Sequence, residues 1–377
     1  MTLSLPLGIV ELPNLRLDGG PRALPDLDLL RIDPARRPRG VVTVHGVEYV
    51  SVDERQIWLP HVDEHYRGWP APSRLAPLVK WAGGKRWILP LIGLGIHHRL
   101  CETGGTLYEG CAGGAALSSW LGWAHTVLID TCMPLTALYA EIILNAARVH
   151  EGLMELTTRG GDEAGYYHIR GERPSTRIAF AAWCLYLNRN AFNGLWRENR
   201  KRGDFNVPYR HCGRCGHALH YHGARCAFPR KHCPCTAYVL TTYPSVEHLT
   251  AWATRGRAWE IRCEDFAPVI ARAGAGDVVF VDPPYLDGTK GGYTGYVQGG
   301  WTLADQERCA TSLHEAADRG ATILATDGGS DRSRDLYASH GFDVLPVEAR
   351  HSVGAKGERR KRKREWLVTN APQLLGT

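Results

Sequence analysis

The 377-residue sequence lacks any long apolar run, and a membrane-spanning helix needs roughly 20 such residues in succession. Its N-terminus also lacks the charged-then-apolar pattern of a secretory signal peptide. The formal net charge of +6 is mild, so the composition permits a nucleic-acid partner without requiring one. We see no internal repeats. These absences predict a soluble globular protein that acts in the cytoplasm, away from membranes.

Cysteine is not scarce, but its distribution excludes an extracellular disulfide framework. The count of eleven is odd, and five cysteines crowd between Cys212 and Cys235. Thiolates and imidazoles at such short spacing favour structural Zn²⁺, which takes four ligands. One ion with spare residues, two ions, and unligated reduced thiols all stay open. The candidate ligands are Cys212, Cys215, His217, His222, Cys226, Cys233 and Cys235.

The most informative segment follows an apolar run at residues 277–281, which has no polar alternation and therefore predicts a fully buried strand. The next four residues are Asp282, Pro283, Pro284 and Tyr285. Open α/β sheets bind ligands just beyond the carboxyl ends of such strands. Two prolines donate no backbone N–H, so carbonyl acceptors stand beside a carboxylate and a flat ring. This combination suits a planar group with an exocyclic amine, such as a nucleobase; an ordinary strand-ending turn is the alternative.

Strands alternate with helices from about residue 71, which predicts an α/β fold with a doubly wound, mostly parallel sheet. The helix predicted after the second strand runs from Pro134 to Arg148, and Thr302 and Asp305 predict the start of another helix. We assign residues 71–150 and 250–377 to this domain. Residues 151–249 form a second domain with the cysteine-rich insertion at 211–238. Residues 1–70 are an extension of unknown role with one predicted hairpin, at residues 41–50.

A second constellation predicts a nucleotide-cofactor site. One predicted strand ends at Glu109 and leads into a turn containing Gly110 and Gly113, and the next strand ends at Asp130. Glycines let a backbone approach its ligand, and an acid at the following strand tip can accept ribose hydroxyls. The turn is not GxGxxG, which disfavours a dinucleotide. By this evidence a purely structural turn is as good an explanation.

Five motifs in order resemble the DNA adenine-N6 methyltransferases of the Dam type. They are the KWAGGK segment at residues 80–85, the glycine turn, Asp130, the stretch from Asn188 to Pro208, and the DPPY tetrapeptide. The resemblance runs from about residue 75 to the end of the chain. It implies a Rossmann-like methyltransferase sheet, a helical target-recognition domain and S-adenosylmethionine as cofactor. The family turn usually reads Glu-Pro-Phe-x-Gly-x-Gly, whereas this chain has EGCAGGA at residues 109–115.

The resemblance also assigns roles to individual residues. Asp282 to Tyr285 would form the catalytic tetrapeptide, with Asp282 and the Pro283 carbonyl accepting hydrogen bonds from the adenine amine. The cofactor residues would be Trp81, Lys85, Glu109, Gly110, Gly113, Asp130, Asp265, Phe266 and Asp282. The DNA-contacting residues would be Asn188, Arg189, Asn193, Leu195, Arg197, Asn206 and Pro208, joined by Arg359 and Arg360 of a basic run.

The expected function is therefore site-specific methylation of a flipped adenine in double-stranded DNA. The alternatives are methylation of RNA adenine or of cytosine N4, and a catalytically silent, zinc-stabilised DNA-binding protein. For the recognition segment and the basic run, solvated arginines are the structural alternative. We expect a monomer. The recognition sequence and a cognate restriction endonuclease as partner are left open.

Overall fold

The computed structural model describes residues 72–199, 203–211, 218, 242–285, 301–350 and 362–375, together with three short strands nearer the N-terminus. Those strands are β1 (Val41–Val44), β2 (Val47–Ser51) and β3 (Trp58–Pro60). The pairing of β1 with β2 is antiparallel, which confirms the predicted hairpin. The third strand, which pairs with β2, was not predicted.

A seven-stranded sheet forms the centre of the molecule, in the order β6-β5-β4-β7-β8-β10-β9. Its strands are β4 (Leu107–Gly110), β5 (Thr126–Ile129), β6 (Glu260–Arg262), β7 (Val278–Val281), β8 (Thr322–Asp327), β9 (Asp343–Arg350) and β10 (Arg362–Thr369). The five strands from β6 to β8 are parallel, and β10 runs antiparallel to both of its neighbours. The predicted α/β fold with a mostly parallel sheet is confirmed.

The strand order reverses between β4 and β7. From β4 the chain proceeds outward through β5 to β6, and then returns to place β7 on the other side of β4. Ligands of open α/β sheets bind in the crevice at such a switch point. The pairing of Gly110 with Val281 brings the glycine turn and Asp282 to the same edge of the sheet.

Helices cover both faces of the sheet. They are α1 (Leu89–Thr103), α2 (Ala116–Leu121), α3 (Met133–Arg159), α4 (Glu163–Gly171), α5 (Arg177–Asn190), α6 (Val246–Gly256), α7 (Phe266–Ile270), α8 (Leu303–Asp318) and α9 (Asp331–Ser339). Alternate residues of β7 supply the two cores: Phe280 belongs to the cluster under α1 and α2, and Val279 to the cluster under α7 and α8. Burial on both faces explains why β7 has no polar alternation.

Two helix predictions can be compared directly with the structure. The start of α8 is as predicted, because the Thr302 hydroxyl accepts from the Asp305 N–H at 3.2 Å and the Asp305 carboxylate accepts from the Thr302 N–H at 2.9 Å. The predicted end of α3 at Arg148 was wrong. The backbone has non-helical angles at Asn145 (φ −142°, ψ 39°), where two helical segments join, and the second segment continues to Arg159 with Val149, Leu153 and Leu156 buried.

The second half of α3 joins α4, α5 and residues 191–199 and 203–211 in a helical unit. Its core includes Trp183, Trp196 and Phe205, and the Trp196 and Phe205 ring centroids lie 4.7 Å apart. The same hydrophobic cluster continues into the sheet domain through residues such as Leu128. Within the described ranges no helix combines the length and apolarity needed to span a bilayer.

Candidate active site and DNA-binding surface

Asp282 lies directly after β7 at the switch point. Its Oδ1 accepts hydrogen bonds from the Thr326 hydroxyl at 2.7 Å and the Tyr285 hydroxyl at 3.2 Å. Its Oδ2 lies 2.9 Å from the Lys85 Nζ, and the side chain is 22% exposed. The Asp282 N–H donates to the Gly110 carbonyl at 3.4 Å. Asp282 is therefore a partly accessible carboxylate, fixed in orientation by three side chains and tied to the end of β4.

A second carboxylate, Glu365 of β10, completes this pocket and is 1% exposed. The Tyr285 hydroxyl lies 3.1 Å from the Glu365 Oε2, and the Lys85 Nζ lies 4.0 Å from the same atom. Burial and the neighbouring carboxylates raise the pKa of Tyr285 well above its usual value, so it stays a neutral donor. Pro283 is buried and Pro284 half-buried between these groups. Sequence reasoning missed Glu365 and Thr326, which have no local motif.

The glycine turn after β4 is held by Glu109, which is 2% exposed. The Glu109 carboxylate accepts from the Ser118 N–H at 2.8 Å, from the Leu117 N–H at 3.3 Å and from the Ser118 hydroxyl. Burial raises its pKa to about 7, although these hydrogen bonds favour the ionised form. The side chain accepts hydrogen bonds from N–H groups in the first turn of α2 and so holds the glycine turn in place.

Three of the predicted cofactor residues, Trp81, Gly113 and Asp130, lie together at this turn. Gly113 has a φ of +49°, and a Cβ at this position would lie 2.5 Å from the Trp81 Cδ1. The Gly113 N–H donates to the Asp130 Oδ2 at 2.8 Å, and the Tyr139 hydroxyl donates to the Gly113 carbonyl at 2.6 Å. Burial raises the pKa of Asp130. The turn therefore packs against the Trp81 indole ring and donates a hydrogen bond to the Asp130 carboxylate.

Three residues depart from the family's pattern in this turn, and the first is Gly110, where the family has proline. Cys111, where the family has an aromatic residue, has a φ of +51°, and Ala115, where it has glycine, has a φ of +49°. Both adopt the left-handed conformation that costs an L-residue about 1–2 kcal/mol. Glycine, which the family has at the position of Ala115, would avoid this cost, so the departure at Ala115 introduces local strain.

Asp265 and Phe266 lie at the start of α7, after β6. The Asp265 carboxylate accepts from the Ala267 N–H at 2.9 Å and pairs with both terminal nitrogens of Arg308, at 2.6 and 3.0 Å. Although burial alone would raise the pKa of Asp265, the bonds from Arg308 and Ala267 lower it. The Arg308 guanidinium also lies 4.6 Å from the centre of the buried Phe266 ring. Arg308 was not predicted, and it holds the acid ionised and oriented.

The predicted recognition segment folds back on itself. Isolated bridges join Ala191 to Tyr209 and Glu198 to Phe205 in antiparallel fashion. Trp196 is buried against Phe205, whereas three of the predicted DNA contacts (Asn193, Arg197 and Pro208) are exposed and two (Leu195 and Asn206) are half-buried. The Arg197 Nε donates to the Asn206 Oδ1 at 2.7 Å. An arginine presented by a side-chain partner is suited to reading a base edge.

Asn188 is a correction to the sequence prediction. Its side chain is 1% exposed, accepts from the Lys80 N–H at 2.8 Å, and donates to the Lys80 carbonyl at 2.7 Å and the Gly194 carbonyl at 3.0 Å. Because it faces inward from α5, these contacts replace the expected contact with DNA. Asn188 instead ties the KWAGGK segment to the recognition segment.

Two half-buried cations, Lys80 and Arg189, lie beside Asn188. Burial lowers the pKa of Lys80 to about 8, with further lowering by Arg210 and Arg189. Burial likewise lowers the pKa of Arg189 to about 10, with a contribution from Arg210. Arg189 donates from a terminal nitrogen to the Leu78 carbonyl. Mutual repulsion of these cations favours a nearby anion.

Nine predicted site residues lie outside the described residues, so the structure does not test them. They are Cys212, Cys215, His217, His222, Cys226, Cys233, Cys235, Arg359 and Arg360. In the part of the chain that is described, no group of three or more His, Cys, Asp or Glu side chains could hold a metal ion.

A doubly wound sheet with an Asp-Pro-Pro-Tyr turn at its switch point, beside a glycine turn, defines an α/β methyltransferase of the amino-methylating type. The chain belongs to the D12 class N6 adenine-specific DNA methyltransferase family, which matches residues 81–214 and 236–353. The reaction of this family is transfer of a methyl group from S-adenosylmethionine to N6 of adenine in DNA. The resemblance inferred from the sequence is confirmed.

Named relatives agree with the family. The chain is 32% identical over 300 residues to a DNA N-6-adenine-methyltransferase of Escherichia phage P1, covering 77% of this chain and 35% of that protein. It is 28% identical over 306 residues to the Type II methyltransferase M1.LlaDCHI of Lactococcus lactis subsp. cremoris, covering 78% and 95%. It is 28% identical over 301 residues to the DNA adenine methylase of Escherichia coli (strain K12), covering 79% and 96%. The chain thus spans about a third of the phage protein and nearly all of the other two.

Proposed function

We propose that this chain methylates N6 of an adenine flipped out of double-stranded DNA, at a specific sequence, with S-adenosylmethionine as the methyl donor. The observation that carries this proposal is the Asp282 carboxylate, partly exposed at the switch point and held beside the glycine turn. The site thereby has a hydrogen-bond acceptor for the target amine, next to a crevice for the methyl donor. Family membership supports the same reaction.

The residues around the glycine turn fit the cofactor. A turn without a Cβ at Gly113 lets the backbone approach a ligand closely, beside Trp81. Asp130, at the next strand tip, would accept from the ribose hydroxyls, and Asp265 with Phe266 would hold the adenine ring. The cofactor supplies an electrophilic methyl carbon on a sulfonium. These residues have only to bind and orient it, because no enzyme nucleophile is needed.

The target amine must be made nucleophilic by its acceptors. The lone pair of the adenine amine is delocalised into the ring, and N6 becomes tetrahedral as it attacks. The Asp282 carboxylate and the Pro283 carbonyl would accept its two N–H bonds, and both bonds strengthen as positive charge builds on nitrogen. Tyr285 would stack on the base. The pocket therefore stabilises the transition state more than the bound substrate.

The DNA would be held by the recognition segment. A base inside a duplex cannot reach the switch point, so the adenine must flip at a cost of a few kcal/mol. We propose that Arg197 reads a guanine, that Leu195 contacts a thymine methyl, and that Asn193, Asn206 and Pro208 complete this surface. Arg189 would contact phosphate, as would Arg359 and Arg360 of the basic run.

We also propose structural zinc in the insertion at residues 211–238, on the strength of its cysteine and histidine spacing alone. Metal analysis of the purified protein should find one or two zinc ions per chain, released by a chelator with loss of DNA affinity. Protein free of zinc after purification without chelators would contradict this. We further propose a monomer acting in the cytoplasm.

The experiment that tests the function is expression in a host without adenine methylation, followed by modification-sensitive sequencing. N6-methyladenine at one recurring DNA sequence is expected. N4-methylcytosine in DNA would show that the substrate is cytosine, and methylation confined to RNA would show that it is RNA. An unmodified genome together with no cofactor binding in calorimetry would indicate a silent DNA-binding protein.

A further inference from the structure

The buried carboxylate of Glu365 has no part in the reaction as described above. It lies on β10, an antiparallel strand beyond β8, and its partners Lys85 and Tyr285 also contact Asp282. We propose that Glu365 is a positioning residue that takes over Lys85 and the Tyr285 hydroxyl when the target amine binds Asp282. This inference rests on the proposed function and assigns a further residue to the same pocket.

Two donors in the pocket are each shared by two carboxylates. The Lys85 Nζ lies 2.9 Å from the Asp282 Oδ2 and 4.0 Å from the Glu365 Oε2. The Tyr285 hydroxyl, which has a single hydrogen, lies 3.2 Å from the Asp282 Oδ1 and 3.1 Å from the Glu365 Oε2. A small movement therefore transfers either donor from one acid to the other.

Asp282 has to be released for the reaction. While the Lys85 ammonium is bound to Oδ2, it competes with the target N–H for that oxygen and neutralises the charge that polarises the amine. Glu365 offers a place for this ammonium inside the pocket. Since Lys85 is 3% exposed, moving it to solvent would break up a buried site, whereas moving it to Glu365 keeps its charge paired.

The first test is Glu365→Gln, which keeps the shape of the side chain and removes its charge. We expect kcat to fall about 10- to 100-fold, as for loss of a charged buried hydrogen bond, with the Kd for S-adenosylmethionine unchanged. Glu141→Gln is the matched control. Glu141 is also a buried glutamate, 4% exposed and paired with Arg177 at 3.0 Å, but it lies in α3 outside the pocket.

The control variant should lose a similar free energy of unfolding and keep its kcat. A kcat for Glu365→Gln within twofold of the parent protein would overturn the proposal. A loss matched by weaker cofactor binding would also overturn it, because Glu365 would then act through the cofactor.

The second test asks whether Glu365 acts through Lys85. In the Lys85→Gln background no ammonium needs a second acid, so Glu365→Gln should change kcat less than threefold there. The same fold-loss in both backgrounds would overturn the proposal. The parent protein and Asp282→Ala separate this inference from the function. No DNA methylation by the parent protein refutes the function, and an active Asp282→Ala variant refutes the role of Asp282 on which this inference rests. An inactive Asp282→Ala alongside an active Glu365→Gln refutes only the role of Glu365.

A third measurement needs no variant of Glu365 and stays decisive if Glu365→Gln does not fold. It is a crystal structure of the whole chain with duplex DNA and a cofactor analogue that has no transferable methyl group. The Lys85 Nζ should lie about 2.8 Å from the Glu365 carboxylate, a normal distance for a charged pair, and should have left Asp282. An ammonium still bound to Asp282 beside a flipped adenine would overturn the proposal.

Discussion

Replacing Gly113 by alanine is expected to weaken S-adenosylmethionine binding at least about tenfold, or about 1.4 kcal/mol. Alanine at a φ of +49° costs about 1–2 kcal/mol in backbone strain. The new Cβ would also lie 2.5 Å from the Trp81 Cδ1 and 2.6 Å from its Nε1. Optimal carbon contacts are about 3.5–4.0 Å, so the indole must move by about 1 Å. Trp81 would then leave the surface that we assign to the cofactor.

The assay is calorimetric titration of the cofactor, with Gly104→Ala as the matched control. Gly104 has a φ of +66°, but a Cβ there would meet nothing within 4 Å. The control therefore carries the same kind of strain without the clash. It should lose about 1 kcal/mol of unfolding free energy and bind cofactor normally. If Gly113→Ala bound cofactor as well as Gly104→Ala does, the contact between Trp81 and the turn would have no role in binding.

Three further substitutions test the stability of the site, each by denaturant titration. Ala115→Gly should change stability by less than about 0.5 kcal/mol, because relief of a φ of +49° (about 1–2 kcal/mol) is offset by the loss of a buried methyl group and by the greater chain entropy of glycine. A loss above about 2 kcal/mol would show that this residue is not strained. Asn188→Ala should lower the free energy of unfolding by about 3 kcal/mol, because it leaves buried backbone groups of Lys80 and Gly194 without their hydrogen-bond partner. A loss under about 0.5 kcal/mol would contradict a structural role for these hydrogen bonds. Glu109 has a pKa raised from 4.5 to about 7, so its contribution to stability is full below pH 4.5 and is lost as pH rises through 7. Glu109→Gln should remove this decline, which amounts to about 3 kcal/mol. The decline from Asp327, whose pKa is raised by burial from 3.8 to about 6, should remain. An unchanged pH profile would refute the assignment of Glu109.

Features with a complete local signal could be predicted from the sequence. The Thr302 and Asp305 capping box needs only four consecutive residues, and the structure forms it. The buried β7 was predicted because both of its faces are covered, which removes polar alternation. The meeting of Trp81 with the glycine turn followed from the resemblance to the Dam-type family. These parts define the crevice and its acid.

Features that depend on distant partners could not be predicted. The strand β6 has only three residues, and Glu260 and Arg262 are half-buried and charged, so its pattern is indistinct. Glu365 reads as part of an ordinary strand, and it becomes a site residue only because Tyr285, 80 positions upstream, lies beside it. Asn188 was expected to contact DNA because it lies in the stretch that resembles the family's recognition region. Its inward direction is set by packing between α5 and the KWAGGK segment.

The central claim is that the Asp282 carboxylate activates the target amine. Its most direct test is single-turnover methylation of duplex DNA by Asp282→Ala, with cofactor and DNA binding measured on the same preparation. The account predicts that both ligands still bind and that methyl transfer falls at least about 100-fold, the loss typical of removing an electrostatic group at a reacting atom. Methyl transfer at the parent rate by this variant would contradict the account.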